Sequence, residues 1–146
     1  MTLHFTATAQ FKISGDASQT SAQCFELTPD QQFKQGSVLS RQKLDVQKDF
    51  TIAVTMNFGR QNFITSGADG IAFIMMTDTF IPVTGNGGGI GYEGTPESLV
   101  VEFDTYQNDL NNDPAADHVA LIIGGNPVHG PSTLAGPKSI GAGGNV

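Results

Sequence analysis

The stretch Val101–Ala120, VEFDTYQNDLNNDPAADHVA, decides how the rest of the chain is read. It sets Glu102, Asp104, Tyr106, Asn108, Asp113 and His118 in order, a run of hard oxygen ligands that ends in an imidazole. Leu99 to Tyr106 alternates apolar and polar residues and is rich in β-branched and aromatic types, which predicts a half-buried strand. Side chains two apart share a face, so Val101, Phe103 and Thr105 are expected to enter a core while Glu102, Asp104 and Tyr106 point outward together. Adjacent carboxylates repel. Such a pair is tolerated where a cation neutralises it, or where one member stays protonated for acid–base work.

After Tyr106 the residues Gln107, Asn108, Asp109, Asn111, Asn112, Asp113 and Pro114 have the composition of a loop that can wrap an ion. A second apolar run, His118 to Ile123, reads as the returning strand. The ligand types point to two ions. Asp, Asn and a backbone carbonyl suit Ca²⁺, whereas a site that adds Glu102 and His118 suits Mn²⁺ or another transition metal, with Asp104 and Asp113 serving both.

The whole chain sets bounds on this site. Its 146 residues predict one domain with one core. Net charge is −7 with only seven Lys and Arg, so no basic patch can be assembled for nucleic acid or an anionic membrane. No apolar run approaches a membrane span, and the single Cys24, expected to be a small core residue, excludes an internal disulfide. Low charge with abundant Gly, Ser, Thr, Asn and Gln fits a secreted or cell-surface protein, with any export signal lying outside this chain.

Strands are expected over residues 3 to 13, Cys24 to Leu27, Ser37 to Leu39, Leu44 to Val46, Phe50 to Phe58 and Ile71 to Met76, the last buried on both sides. Short strands with Gly and Pro between them, and no sustained helical periodicity, indicate an all-β antiparallel sandwich. From Gly124 onward Gly and Pro dominate, and no strand of ordinary length is expected there. His4 and His129 read as ordinary histidines. The segment from Asp109 is not an EF-hand, because Pro114 replaces the required Gly and Ala120 stands where the bidentate Glu belongs. Gly89-Ile-Gly91-Tyr-Glu-Gly94 matches a dinucleotide fingerprint in letters only, since no helix follows it.

The spacing of Glu102, Asp104, Tyr106, Asn108, Asp113 and His118, with the Asp113-Pro114 step, resembles the metal loop of the legume (L-type) lectins. Ala68-Asp69-Gly70 followed by Ile71-Ala72-Phe73-Ile74 resembles that family's segment with a cis peptide before the Asp. Gly87-Gly88-Gly89-Ile90-Gly91-Tyr92 resembles its glycine loop. The resemblance implies a concanavalin-like jelly-roll β-sandwich over residues 1–125 and a Gly/Pro-rich tail over 126–146. By the same resemblance Glu102, Asp104, Asp113 and His118 hold the transition metal, and Asp104, Asp113, Asn108 and the Tyr106 carbonyl hold Ca²⁺. The sugar site it implies is Asp69, the Gly88 N–H, Asn108 and the Tyr106 ring.

The chemistry agrees with that assignment. Sugar hydroxyls both donate and accept, so an Asp acceptor, an amide, a backbone donor and a ring for the C–H face match them. The expected function is Ca²⁺-dependent, non-catalytic binding of glycans or glycoconjugates. Lectin domains of this type continue further, so the expectation is a fold cut short at its C-terminal end and completed by a homo-oligomer or another chain segment.

Two alternatives stand beside this one. A structural or adhesin module would keep the metal for rigidity without binding sugar. A glucanase of the same architecture also begins with a Glu-Phe-Asp step, but it needs a second carboxylate about 5 Å from the first. That position holds Tyr106, or Gln107 in the bulged version.

Overall fold

The computed structural model describes residues 11–59, 67–77 and 85–140. His4 and most of the strand expected over residues 3 to 13 lie outside them. The chain divides into two compact units, Met1–Met56 and Asn57–Val146, taken in turn.

In the first unit, β1 (Phe11–Gly15) stops where the Ser-Gly-Asp turn signal predicts and pairs antiparallel with β4 (Gly36–Ser40), Ile13 opposite Val38. Between them β2 (Ser18–Ser21) and β3 (Cys24–Glu26) form a hairpin with an irregularity between Gln19 and Ser21. β2 consists of Ser, Gln and Thr, so no apolar alternation announced it. The Phe11 and Phe25 rings meet edge to face at 4.8 Å. Lys34 lies 3.0 Å from Asp16 and, with the Gln35 N–H, holds that carboxyl below its ordinary range.

Three expectations fail here. Cys24 is exposed rather than in a core. Leu44 to Val46 forms no strand. Among the described residues Phe50 to Phe58 forms only a single bridge at Thr51, and although Phe50, Ile52, Met56 and Phe58 are half-buried, Val54, which shares their alternation, is 54% exposed. Alternation prepares a segment for a sheet, but a strand also needs a neighbour to complete its hydrogen bonds.

The second unit is an antiparallel sheet in chain order: β5 (Gly70–Met76), β6 (Ser98–Asp104), β7 (His118–Ile123) and β8 (Thr133–Ser139). Residues directly opposite one another share a face, which makes the register informative. Ile74, Val100 and Ile122 form an apolar rung, Ala72, Glu102 and Ala120 the next, and Gly70, Asp104 and His118 the third. The buried core is Val100, Ala120 and Ile122 with Tyr92, and Ala72, Ile74 and Ile90 pack against it. Two alanines flanking Glu102 leave its longer side chain room. One face therefore grades from hydrocarbon to ligand groups over two steps of the strand.

That gradient reverses one expectation. Glu102 and Asp104 do not point outward; each is only 1% exposed and shares its face with the core, while Val101 and Phe103 on the opposite face are half-buried. The period was right and the choice of covered face was wrong. Tyr92 roofs the acidic face and its hydroxyl donates to Glu102 Oε2, and the Thr95 and Ser98 hydroxyls close the other end. On the far face the Phe58 and Phe103 rings lie 6.0 Å apart.

β8 is a further correction, since a full strand forms in the glycine-rich tail. Its pairing with β7 is irregular, Val119 facing Lys138 but Leu121 facing Ala135. Among the described residues β7 is its only neighbour, so Pro137 removes no hydrogen bond from an interior ladder. Gly136 has φ +86°, and a Cβ there would lie 2.6 Å from the Val119 carbonyl oxygen. Gly and Pro thus mark an edge strand with a close backbone approach.

Candidate metal centre

β6 delivers Glu102 and Asp104 to one face, and the loop after it is tied down by carboxylates. The Tyr106 N–H donates to Asp104 Oδ1 at 2.7 Å, and the Asn108 N–H donates to Asp113 Oδ2 at 2.7 Å. A short 3-10 turn over Asp109–Asn111 ends at Asn112, which takes a left-handed φ of 60°. The chain then reaches Asp113 and enters β7 at His118, directly opposite Asp104. Each Asp therefore spends one oxygen on the loop backbone.

Two groups of donors result, Asp104 with Asp113 and His118, and Glu102 with His118 and His129. Within each group the ligand atoms lie within 4.8 Å of one another, and His118 belongs to both. His129 was read from sequence as an ordinary histidine, and that expectation is overturned. Its Nε2 lies 2.9 Å from His118 Nε2, 3.6 Å from Glu102 Oε1 and 3.4 Å from Asp113 Oδ1. No ligand spacing announced it, because it reaches the site from the turn before β8, in the segment expected to be a Gly/Pro-rich tail.

Electrostatics make this an unusual place for bare carboxylates. Burial pushes Asp104 up to about 7, with the Asp113 and Glu102 charges adding to it against the Tyr106 N–H and His118. Burial likewise raises Asp113. The His118 imidazole is raised although burial opposes it, because Glu102, Asp104 and Asp113 surround it. Tyr92 is held firmly protonated by burial and by Glu102.

Glu102 Oε1 and Asn108 Oδ1 are buried with no hydrogen-bond partner among the described residues. A buried orphan acceptor costs about 1–3 kcal/mol, more when charged. Bound cations would satisfy these oxygens and offset the clustered negative charge. The donor set fits a metal ion.

The residues expected to meet a sugar gather at one end of this centre. The peptide before Asp69 is cis, and the Asp69 carbonyl accepts from the Thr105 N–H at 2.9 Å and the Thr105 hydroxyl at 3.2 Å. Burial raises the Asp69 carboxyl. Gly88 sits in a 3-10 turn, Gly87–Gly89, and its carbonyl accepts from Asn111 Nδ2 at 2.9 Å. A Cβ on Gly88 would lie 2.6 Å from Asn108 Oδ1, so the glycine turn and the metal loop are in close contact. Asn111 was missed from sequence, and it ties one to the other. A Cβ on Gly87 would lie 3.8 Å from Asp69 Oδ1, which brings Asp69 to the same corner. Tyr106 is 41% exposed.

The sequence matches the legume lectin beta-barrel domain over residues 4–138. It is similar to the pesticidal crystal protein Cry22Aa of Bacillus thuringiensis, 34% identical over 73 residues, half of this chain and 10% of that protein. It is also similar to a galactose-binding lectin of Arachis hypogaea, 48% identical over 61 residues, 38% of this chain and 22% of that one. The chain thus spans a tenth to about a fifth of the curated relatives it matches. The family match runs through β8 and takes in every strand described, all of them antiparallel. With the all-β, jelly-roll sandwich class that match carries, this chain belongs to the L-type (legume) lectin family.

Proposed function

We propose that this domain binds carbohydrate, without catalysis, in a state preorganised by bound cations. Asp104, Asp113, Asn108 and the Tyr106 carbonyl would hold Ca²⁺, and Glu102, Asp104, Asp113 and His118 would hold Mn²⁺ or another transition metal. Asp69, the Gly88 N–H, Asn108 and the Tyr106 ring would take the sugar. The observation that carries this reading is Asn108, whose Oδ1 is buried without a partner among the described residues while its N–H is fixed on Asp113. A cation on Asp113 would immobilise that amide where it meets Gly88. When bound, the ion supplies charge neutralisation and rigidity.

Absence of catalysis is supported by Glu102, whose Oε2 is engaged by the Tyr92 hydroxyl, and by Tyr106 in place of a second acid. The relative described as galactose-binding makes galactose the first sugar to test. A secreted or cell-surface setting, where glycans are displayed, belongs to the same proposal.

The test is retention of the chain on immobilised galactose-terminated glycans with Ca²⁺ and Mn²⁺, and again with excess EDTA. Retention is expected only with the ions, and Asp69→Ala and Asn108→Ala are expected to lose it while remaining folded. Retention that survives EDTA refutes the role of the cations, and retention by both variants refutes the site.

A further inference from the structure

We propose that His129 is a direct metal ligand that joins Glu102, Asp104, Asp113 and His118, which makes the transition-metal half of the site a two-imidazole centre suited to Zn²⁺, Co²⁺ or Ni²⁺ above Mn²⁺. The inference rests on the metal-binding part of the proposed function and extends it to ligand number and metal preference.

Geometry carries the argument. With metal–ligand bonds of about 2.1 Å, neighbouring ligand atoms stand about 3.0 Å apart in an octahedron and about 3.4 Å apart in a tetrahedron. The observed separations are 2.9 Å between the two Nε2 atoms, 3.4 Å from His129 to Asp113, and 3.6 and 3.7 Å from His129 and His118 to Glu102 Oε1. All four lie within about 0.3 Å of one or other of these edge lengths, close enough for a small inward shift of Glu102 to put the donors on one ion. A hydrogen bond from one imidazole to the other accounts for the 2.9 Å contact alone. It would occupy both Nε2 atoms and leave Glu102 Oε1 buried and unsatisfied, whereas one ion satisfies all the donors.

His129 is also held as a ligand is held. Its Nδ1 lies 3.4 Å from the Thr133 hydroxyl, which turns Nε2 toward the centre. Its N–H donates to the Asn111 carbonyl at 2.8 Å, and Asn112 Nδ2 donates to the His129 carbonyl at 3.2 Å. The turn that carries His129 is therefore bound to the metal loop itself. On the far side of the centre the Tyr92 hydroxyl fixes Glu102 through its other oxygen. A second imidazole raises the nitrogen share of the donor set, and that favours the later first-row metals over Mn²⁺.

The test loads the full chain with Cu²⁺ as a spectroscopic probe and counts coupled imidazole nitrogens by pulsed electron paramagnetic resonance. Calorimetry then compares Zn²⁺ and Mn²⁺ on wild type and His129→Ala. Two imidazoles are expected in wild type and one in the variant, with Zn²⁺ affinity falling at least ~10-fold and Mn²⁺ affinity by much less. One imidazole in wild type, unchanged Zn²⁺ affinity in a folded variant, or no binding of any of these metals overturns the proposal. The wild-type spectrum decides the matter even where the variant fails to fold. Sugar retention with a single coupled imidazole sinks this inference alone, and two imidazoles without sugar retention sinks the sugar reading alone.

Discussion

Replacing Gly88 by alanine probes the sugar corner at the cost of one methyl group. The new Cβ would lie 2.6 Å from Asn108 Oδ1, 2.7 Å from its Cγ and 2.9 Å from Asn111 Nδ2, where ordinary contact begins at 3.4 Å. Asn108 must therefore retreat by about 0.8 Å at its oxygen, the difference between the first and last of those figures. All three neighbours are side-chain ends, and Gly88 lies outside the left-handed region, so the backbone accepts alanine. The expected change in stability is that of a mild surface substitution, within about 0.5 kcal/mol.

Binding responds differently. A displaced Asn108 would lose the alignment with sugar and ion proposed for it, an expected loss of about 1–3 kcal/mol or roughly 5- to 150-fold in Kd. Calorimetry with a galactose-terminated oligosaccharide in saturating Ca²⁺ and Mn²⁺ measures it, and thermal unfolding serves as the control for folding. Gly130→Ala, where the methyl meets open space, is expected to bind as wild type does. Wild-type affinity in a folded Gly88→Ala protein would refute the placement of the ligand beside Asn108.

Other outcomes follow from the buried acids. Asp104 is pushed up to about 7, so in EDTA the native state holds a proton that the unfolded chain releases near its ordinary carboxylate range. Stability without metal is then greatest in acid and falls as pH rises from about 4 through 7; urea midpoints that rise across this window would contradict it. With metal present the trend reverses, because the ion competes with that proton, and the metal-induced rise in melting temperature is expected to be larger at pH 8 than at pH 5. Asp104→Asn keeps an acceptor for the Tyr106 N–H but removes the buried charge. In EDTA at pH 8 it is expected to melt above wild type and to gain nothing from metal, and a metal response equal to wild type would exclude Asp104 as a ligand. Tyr92→Phe removes the hydroxyl that donates to Glu102, and metal affinity is expected to drop ~10-fold with about 1–3 kcal/mol of stability. An unchanged isotherm would show that Tyr92 only fills space.

The strand Leu99 to Tyr106 and the returning strand from His118 were legible because apolar residues recur with a strict period of two. Their covered face was not. The sequence rule that places charges outside assumes water as their partner, whereas Glu102 finds Tyr92 and a histidine pair. The donor-rich loop was legible because six oxygen- or nitrogen-bearing residues fall within one local segment. His129 was not, since it is joined to the site through the β7–β8 connection rather than by spacing along the chain. The same blindness hid β8, whose glycine and proline are permitted by an edge position that only the sheet order reveals. Phe50 to Phe58 shows the converse, an alternating segment with no ladder among the described residues.

The three rungs of the second sheet would make the proposed ion binding a proofreader of strand alignment. Asp104 meets His118, Glu102 sits between two alanines, and Val100 meets Ile122 in only one register of β6 on β7. A slip of one residue would send every one of these side chains to the opposite surface, scattering the ligands and uncovering the core together. Mispaired chains would thus be both sticky and unable to capture the ion, and capture of the ion would withdraw the correctly aligned population from that pool.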